Sequence, residues 1–209
     1  MPVSPCEPVC IVVRARPLVK PDHYQPGYPR IMPGLERDQL PLTIGGLTLR
    51  PTRPDDCAFV VGLERQPDNA RHVEQWSEAE HRASLQRPGT AHWILERPDG
   101  PVGYALLEDV DDPNGSILLR RIVIAGKGRG DGRTGVRLVL RYCFEVARCH
   151  RVWLNVALDN RRAEGLYRRL GFVEEGIARE SVRKGEGFAS MRVLSLLEQE
   201  YRNARKGRG

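Results

Sequence analysis

Apolar and polar positions along the chain follow two periods, and each period predicts one kind of element. Residues 117–124 are aliphatic except for two arginines and contain no Gly or Pro, which predicts a strand. In residues 133–149 the apolar side chains recur at helical spacing, which predicts a helix with one buried face. The same criteria predict further strands at residues 47–50, 92–96, 101–108, 151–157, 173–181 and 189–197.

Turn and capping signals join these segments. Pro98-Asp99-Gly100 separates two predicted strands and indicates a hairpin. Pro54-Asp55-Asp56 opens a helix with acidic residues in its first turn, and Ser77-Glu78-Ala79-Glu80 forms a capping box that starts another. The pattern therefore predicts an α+β chain in which a meander of antiparallel strands carries several helices.

The two ends of the chain differ in composition from its middle. More than half of the 16 prolines lie in residues 1–42, which predicts a disordered, Pro-rich extension. Met32 is a candidate for the first residue of the natural protein, so whether residues 1–31 belong to it stays open. Residues 43–200 are predicted to form a single domain, followed by a basic tail at residues 201–209.

Composition narrows the class of protein. The formal net charge of +6 suggests acidic partners such as phosphates, so nucleic acid is not required. The sequence has no apolar run of membrane-spanning length and no secretory signal pattern, so no membrane partner is predicted.

Five cysteines, an odd number, argue against a disulfide framework and predict a reducing, cytoplasmic location. Cys6 and Cys10 lack the spacing and partners of a zinc site, so no metal site is predicted.

A glycine-rich loop joins the strand at 117–124 to the helix at 133–149. Glycines let a ligand approach the backbone closely, and a helix N-terminus offers unpaired N–H groups and a positive dipole end. The loop Lys127-Gly128-Arg129-Gly130-Asp131-Gly132 is therefore predicted to bind a pyrophosphate. The alternative interpretation is a flexible turn.

Two well-known phosphate-binding signatures fit this loop poorly. The P-loop signature is absent, because no Gly-Lys is followed by Ser or Thr. The segment Gly130-x-Gly132-x-x-Gly135 matches the dinucleotide-binding signature literally, but Gly135 lies inside the predicted helix. The chain beyond Phe172 also reads as strands that cannot complete a doubly wound sheet. A nicotinamide-binding protein is therefore the weakest of the alternatives.

A third signature fits better. The segment from Lys127 to Gly132 resembles the Arg/Gln-x-x-Gly-x-Gly/Ala motif with which GNAT-superfamily acetyltransferases bind the pyrophosphate of acetyl-CoA. Lys127 departs from that motif, since it keeps the positive charge but lacks the planar fork of arginine. A second motif of the superfamily is matched, in the expected order, by Asn160, Arg162-Ala163, Leu166-Tyr167 and Gly171-Phe172. The chain is thus similar to GNAT acetyltransferases. Its overall sequence pattern most resembles the branch that acetylates ribosomal-protein N-termini.

This resemblance implies an α/β/α layered fold with a mixed, mostly antiparallel sheet of about seven strands. Its fourth and fifth strands would splay apart around acetyl-CoA, and strand backbone groups would pair with pantetheine and face the thioester oxygen. Asn160 would also cap the helix that follows it. The implied cofactor-binding residues are Ile122, Val123, Ile124, Lys127, Gly128, Arg129, Gly130, Asp131, Gly132, Arg133 and Asn160.

The resemblance also assigns catalytic roles. Tyr167 occupies the general-acid position of the family, and a phenol with a pKa of about 10 is protonated at neutral pH. The alternative for Tyr167 is a packing role. Glu108 is the predicted catalytic carboxylate, because the strand that carries one in many relatives has Arg120 and Arg121 here. Other candidates for the base are Asp111, Asp112 and a water chain, and His72, Trp76 and His81 are candidates to line the acceptor pocket.

Together these residues predict an acetyl-CoA-dependent N-acetyltransferase. The acceptor would be a primary amine, either a protein N-terminus or a small amine, that attacks directly in a ternary complex. Cys143 and Cys149 lie on the predicted helix rather than in the cleft, which disfavours an acetyl-cysteine intermediate. The alternative is a catalytically silent acyl-CoA-binding sensor or interaction module. A monomer or a homodimer is expected.

Overall fold

The structure, a computed structural model, describes residues 40–126 and 129–206. Within these residues one sheet contains eight strands: β1 (Leu42–Ile44), β2 (Leu47–Pro51), β3 (Ala91–Arg97), β4 (Gly100–Glu108), β5 (Ser116–Ile124), β6 (Arg151–Ala157), β7 (Val173–Lys184) and β8 (Gly187–Leu197). Their order across the sheet is β1-β2-β3-β4-β5-β6-β8-β7. The helices of the same residues are α1 (Cys57–Glu64), α2 (Pro67–Ala70), α3 (Glu78–Ser84), α4 (Asp131–Arg141), α5 (Arg161–Arg169) and α6 (Glu198–Lys206).

The sheet is antiparallel except at its centre, where β5 and β6 run parallel. These two strands pair over three residues only, from Ser116↔Arg151 to Leu118↔Trp153. Beyond that point the described ladder between them stops, while β5 stays paired to β4 up to Ile124. The carboxyl-terminal halves of β5 and β6 therefore diverge, as the predicted splay requires.

Helices cover both faces of the sheet, which confirms the predicted layered α+β fold. On one face, α4 and α5 pack on a large apolar cluster that includes Leu95, Ile122 and Val156. On the other face, α1 packs on a smaller cluster that includes Tyr104 and Val123. Because side chains alternate along a strand, neighbouring residues Ile122 and Val123 belong to opposite layers.

A β-bulge interrupts this alternation in β5. Leu106 of β4 lies opposite Arg121 and Leu107 lies opposite Leu119, so Arg120 is the extra residue. A bulge lets two consecutive side chains point to the same side of the sheet. Arg120 and Arg121 accordingly both reach Glu74, on the α1 side.

Three local features differ in extent from the sequence prediction. The sheet has eight strands rather than about seven, because Leu42–Ile44 folds back on β2 through Gly45 and Gly46, which both have positive φ. The predicted helix at 133–149 is α-helical only to Arg141, and Tyr142–Val146 continues it as a π-helical turn. The predicted basic tail starts within α6, where Tyr201 stacks on Phe144 with ring centroids 4.8 Å apart.

Two further observations concern the predicted N-terminal extension and membrane-spanning helices. The predicted extension lies outside the described residues except for 40–42. In the described part, none of the helices combines the length and apolarity that crossing a bilayer would demand.

Candidate functional site

The site is built where β5 and β6 diverge. Because β6 turns away after Trp153, the edge of β5 from Leu119 to Ile124 has no β6 partner in the described ladder. Strand backbone groups that lack a strand partner are available to an extended ligand. Ile122, Val123 and Ile124, predicted to bind such a ligand through their backbones, lie along this diverging edge.

The glycine-rich loop follows β5 and leads into the N-terminus of α4. Gly130 is the N-cap of that helix and has φ of +79°, a left-handed conformation that favours glycine. A Cβ atom at Gly130 would meet nothing within 4 Å, so the space beside the first turn is open. The first-turn N–H groups of a helix have no intrahelical partner, and the positive dipole end adds to their attraction for an anion. Lys127 and Gly128 lie outside the described residues.

Asp131 has a structural role at this helix start. Its carboxylate is buried and accepts a hydrogen bond from Arg97 Nε of β3 at 3.1 Å. The ion pair ties the first turn of α4 to the neighbouring strand, so only the backbone of Asp131 remains for a ligand. Gly135 fixes the next turn, because a Cβ there would lie 2.9 Å from Leu95 Cδ1. Gly135 therefore serves helix–sheet packing.

The second motif forms α5, which begins just after β6. The Asn160 side chain accepts a hydrogen bond from the Ala163 N–H at 3.1 Å, which confirms the predicted N-cap. Tyr167 is fully buried on the inner face of α5, and its ring meets the edge of Phe172 with centroids 5.5 Å apart. The motif thus places a phenol inside the layer beneath the diverging strands.

A cleft of about 670 Å³ opens at the carboxyl end of β6. Three walls surround it: the segment after α2 with His72 and Glu74, the end of β6 with Ala157, and the tip of the β7–β8 hairpin with Arg183 and Lys184. Its size suits a small molecule. Of the three predicted pocket residues, only His72 lines this cleft.

The other two belong to a buried polar cluster beside the cleft. The Trp76 ring lies beneath Arg121, whose guanidinium carbon is 4.0 Å from the ring centroid. His81 is buried, and its Nδ1 lies 3.2 Å from His92 Nε2. Burial, with the nearby His81 and Arg121, lowers the pKa of His92 to about 3, so the His92 imidazole is neutral at physiological pH.

Glu64, at the end of α1, is the centre of that cluster. Its carboxylate accepts hydrogen bonds from Arg121 Nη1 at 3.0 Å, from the Trp76 N–H at 3.0 Å and from the Tyr104 hydroxyl. Burial raises the pKa of Glu64, but its hydrogen bonds with His81 and Tyr104 and the charge of Arg121 outweigh burial and lower the pKa overall. Glu64 is therefore ionised and paired with a fully buried arginine.

Glu108 and Glu74 lie at different positions relative to the cleft. Glu108 pairs with Leu118 at the closed end of β5 and β6, and its carboxylate accepts a hydrogen bond from Arg120 Nη1 at 2.8 Å. Glu74 lines the cleft, with its Oε2 3.5 Å from both Arg120 Nη2 and Arg121 Nη2. The geometry thus brings Glu74, rather than Glu108, to the cleft.

Asn155 is, after Glu64 and Glu74, a third residue of the site that sequence analysis did not identify. It lies on β6 two residues before Ala157, so both side chains point to the cleft side of the sheet. Asn155 is 6% exposed, and its Oδ1 has no hydrogen-bond partner among the residues that the structure describes. A buried oxygen without a partner costs about 1–3 kcal/mol, which a ligand N–H would recover. The only signal in the sequence was a polar residue in an apolar strand.

Comparison with known proteins adds the family. The sequence model of the Acetyltransferase (GNAT) family matches residues 53–172, more than half of the chain. Spermidine N(1)-acetyltransferase of Vibrio cholerae serotype O1 is 33% identical over 85 residues, which are 40% of this chain and 49% of that protein. The chain therefore spans about half the length of this curated relative.

Solved structures agree with the fold. A spermidine N-acetyltransferase from Vibrio cholerae, in complex with CoA and spermine, aligns with a TM-score of 0.69 and 25% identity, covering 77% of this chain and 100% of that chain. A dodecameric spermidine N-acetyltransferase from Vibrio cholerae aligns with a TM-score of 0.66 and 25% identity, covering 77% of this chain and 99% of that chain.

Proposed function

Because this chain belongs to the acetyltransferase (GNAT) family, we propose that it transfers the acetyl group of acetyl-CoA to a small primary amine. The observation that carries this proposal is the divergence of β5 from β6 next to the N-terminus of α4. The diverging edge suits the extended pantetheine chain, and the helix N-terminus suits its pyrophosphate. The spermidine and spermine named for the relatives favour a small amine over a protein N-terminus.

Each part of the site has a role in this reaction. Backbone groups of Ile122, Val123 and Ile124 hold the pantetheine, and an N–H among them faces the thioester oxygen as it gains negative charge. The N–H groups from Arg129 to Arg133 bind the pyrophosphate, with Lys127 and Gly128 completing the motif. Asn160 approaches the same ligand while it caps α5.

Several proton transfers accompany the acetyl transfer. Tyr167 donates its phenolic proton to the departing thiolate. Glu74 accepts a hydrogen bond from the amine in the cleft and orients it toward the thioester. Asn155 Oδ1 accepts a second N–H from the bound substrates. The ammonium group held at Glu74 first loses a proton to water in the cleft, and the resulting amine attacks the thioester carbonyl carbon. The C–S bond then breaks as the thiolate takes the Tyr167 proton, and the second proton lost by the amine returns through water to the Tyr167 phenolate.

The direct test is calorimetric titration with CoA, combined with thiol release from acetyl-CoA in the presence of amines. The amine panel contains spermidine, monoamines, and peptides with free N-termini. We expect saturable CoA binding and thiol release that depends on a small amine. Binding without release would support a silent acyl-CoA-binding protein, and an absence of CoA binding would contradict the proposal.

A matched pair of glycine variants tests the phosphate site. Gly130→Asp places a carboxylate at the N-terminus of α4, where it repels the pyrophosphate, so we expect CoA affinity to fall by about tenfold or more. Gly45→Asp is the control, because Gly45 also has positive φ and open space but lies in the β1–β2 hairpin. Equal CoA affinities of the two variants would exclude the α4 N-terminus as the binding site.

A second pair of variants compares the two carboxylates. We expect Glu74→Gln to raise the KM for the amine by about tenfold, because the ammonium loses a charge-assisted hydrogen bond. Glu108→Gln should change kcat and KM less than twofold, because Glu108 is bound to Arg120 away from the cleft. Steady-state kinetics with a varied amine provides the measurement. A larger loss of kcat for Glu108→Gln would instead support Glu108 as the catalytic carboxylate.

A further inference from the structure

The wall of the cleft that contains Glu74 is held at both ends by the carboxyl-terminal end of α1. At the start of this segment, Asn69 Nδ2 donates a hydrogen bond to the Leu63 carbonyl oxygen at 2.9 Å. At its end, the Trp76 N–H donates a hydrogen bond to Glu64 Oε2 at 3.0 Å. Asn69 and Glu64 are both buried. The position of Glu74 in the wall therefore depends on the end of α1.

The other oxygen of Glu64 binds Arg121, a residue that Glu74 also contacts. Arg121 Nη1 donates a hydrogen bond to Glu64 Oε1 at 3.0 Å, and Arg121 Nη2 lies 3.5 Å from Glu74 Oε2. The side chains of Glu64 and Arg121 are fully buried, whereas that of Glu74 is 26% exposed. One guanidinium thus lies between an interior carboxylate and a carboxylate of the cleft wall. The pair with Glu64 is the stronger one, because it is both shorter and less solvated.

This arrangement decides how much negative charge Glu74 offers to an ammonium group. With Glu64 ionised, the two carboxylates exceed the guanidinium between them by one charge, and the excess lies at the cleft. Without the charge of Glu64, Arg121 would pair with Glu74 and compete with the ammonium group, and burial would leave that competition weakly screened. Arg120, which also contacts Glu74, has a closer carboxylate in Glu108, at 2.8 Å.

We propose that Glu64 is a positioning residue for the acceptor amine. It fixes Arg121 and the Trp76 backbone, and it thereby keeps the Glu74 carboxylate oriented and available for the ammonium group. This inference rests on the proposed acetyl transfer, in which Glu74 binds the amine. It gives a role in substrate binding to a carboxylate that lies behind the wall of the cleft.

Steady-state kinetics of Glu64→Gln tests the inference, with the most active member of the amine panel as the varied substrate. Glutamine keeps a hydrogen-bond acceptor but removes the charge, so we expect the KM for the amine to rise about tenfold, a typical value for one charge-assisted contact. CoA affinity, measured by calorimetry, should stay within about twofold of wild type. A purely structural role would lower the folded fraction, and with it the apparent kcat, without raising KM.

Two further variants frame this result. Glu96→Gln is the matched control, because Glu96 also pairs with an arginine, Arg50, but away from the cleft lining, so KM should not change. Glu64→Asp keeps the charge and shortens the side chain, and it should raise the same KM about threefold, which provides a milder variant if Glu64→Gln is unfolded. An unchanged KM in the folded Glu64 variants would overturn the inference.

Two double variants show whether the effect passes through Arg121 to Glu74. Glu64→Gln with Arg121→Met removes the competing guanidinium, so KM should return to within about threefold of wild type. Glu64→Gln with Glu74→Gln should have the KM of Glu74→Gln alone, because position 74 then has no carboxylate to be positioned. Additive increases in the second double variant, or no recovery in the first, would overturn the inference. Absence of thiol release by the wild type with every amine, despite CoA binding, would instead overturn the proposed acetyl transfer.

Discussion

Replacing Tyr167 by phenylalanine is expected to lower kcat by about 100-fold or more while leaving CoA affinity unchanged. General-acid catalysis by a positioned side chain contributes about 10²–10⁴-fold, and the substitution removes only the hydroxyl that would supply the proton. The ring itself, which packs against Phe172 in the core, is retained. Thiol-release kinetics and calorimetry with CoA measure the two quantities separately.

Tyr142→Phe provides the matched control for this experiment. Tyr142 is also buried, but it packs against Trp93 at the end of α4, with ring centroids 4.7 Å apart. Loss of the Tyr142 hydroxyl should leave kcat within about twofold of wild type. A fall of kcat in both variants would therefore indicate a general loss of core stability. If Tyr167→Phe retained full turnover, the phenol would have a packing role and the thiolate would take its proton from water.

Replacing Glu64 by glutamine is expected to destabilise the fold by about 3–5 kcal/mol, the range for breaking a buried ion pair by removing one partner. The change leaves the guanidinium of Arg121 buried without its closest carboxylate. It also weakens the hydrogen bond from Tyr104, because a neutral amide is a poorer acceptor. Urea unfolding at neutral pH measures the free energy.

The control for Glu64 is Glu96→Gln. Glu96 also pairs with an arginine, Arg50, but its side chain is 33% exposed, so the cost should be about 1 kcal/mol or less. Equal unfolding free energies of the two variants would show that burial adds nothing to the Glu64 pair. Glu64→Leu combined with Arg121→Met should recover much of the loss, because it removes both buried charges together.

The pH dependence of stability follows from the same pair. The folded state holds the pKa of Glu64 below its usual value, and the unfolded value is about 4.3. A depressed carboxyl pKa contributes stability above the unfolded pKa, and this contribution is lost as pH falls through the folded pKa. The wild type should therefore lose its advantage over Glu64→Gln below about pH 4, measured by urea unfolding at stepwise lower pH.

Local elements of this protein were predictable because their causes are local. The capping box at Ser77 forms as predicted, with the Glu80 N–H bonded to Ser77 Oγ at 3.2 Å. Asn160 caps α5, and the strand predicted at residues 117–124 spans Ser116–Ile124, one residue longer. The spacing of glycines and of the Leu-Tyr and Gly-Phe pairs was enough to indicate the family, since both motifs are short and contiguous.

The same local reasoning could not place the acceptor side of the site. It left Glu64 and Glu74 unmentioned and chose Glu108 as the catalytic carboxylate. In a regular strand the consecutive side chains of Arg120 and Arg121 would point to opposite faces of the sheet. The bulge at Arg120 directs both arginines to one side, where Arg121 meets Glu64, a partner 57 positions away. Neither the bulge at Arg120 nor the pairing of Arg121 with Glu64 produces a periodic pattern of apolar and polar residues in the sequence.

The amino-acid sequence by itself determined the succession of helices and strands, the glycine-rich loop before α4 and the position of Tyr167 on α5. Those features depend on periodicity, backbone freedom and capping within a few residues of each other. Only the tertiary structure decided where β5 and β6 part, which carboxylate reaches the cleft and which cations face it. Those features depend on contacts between segments far apart in the chain, which become neighbours only when the sheet assembles.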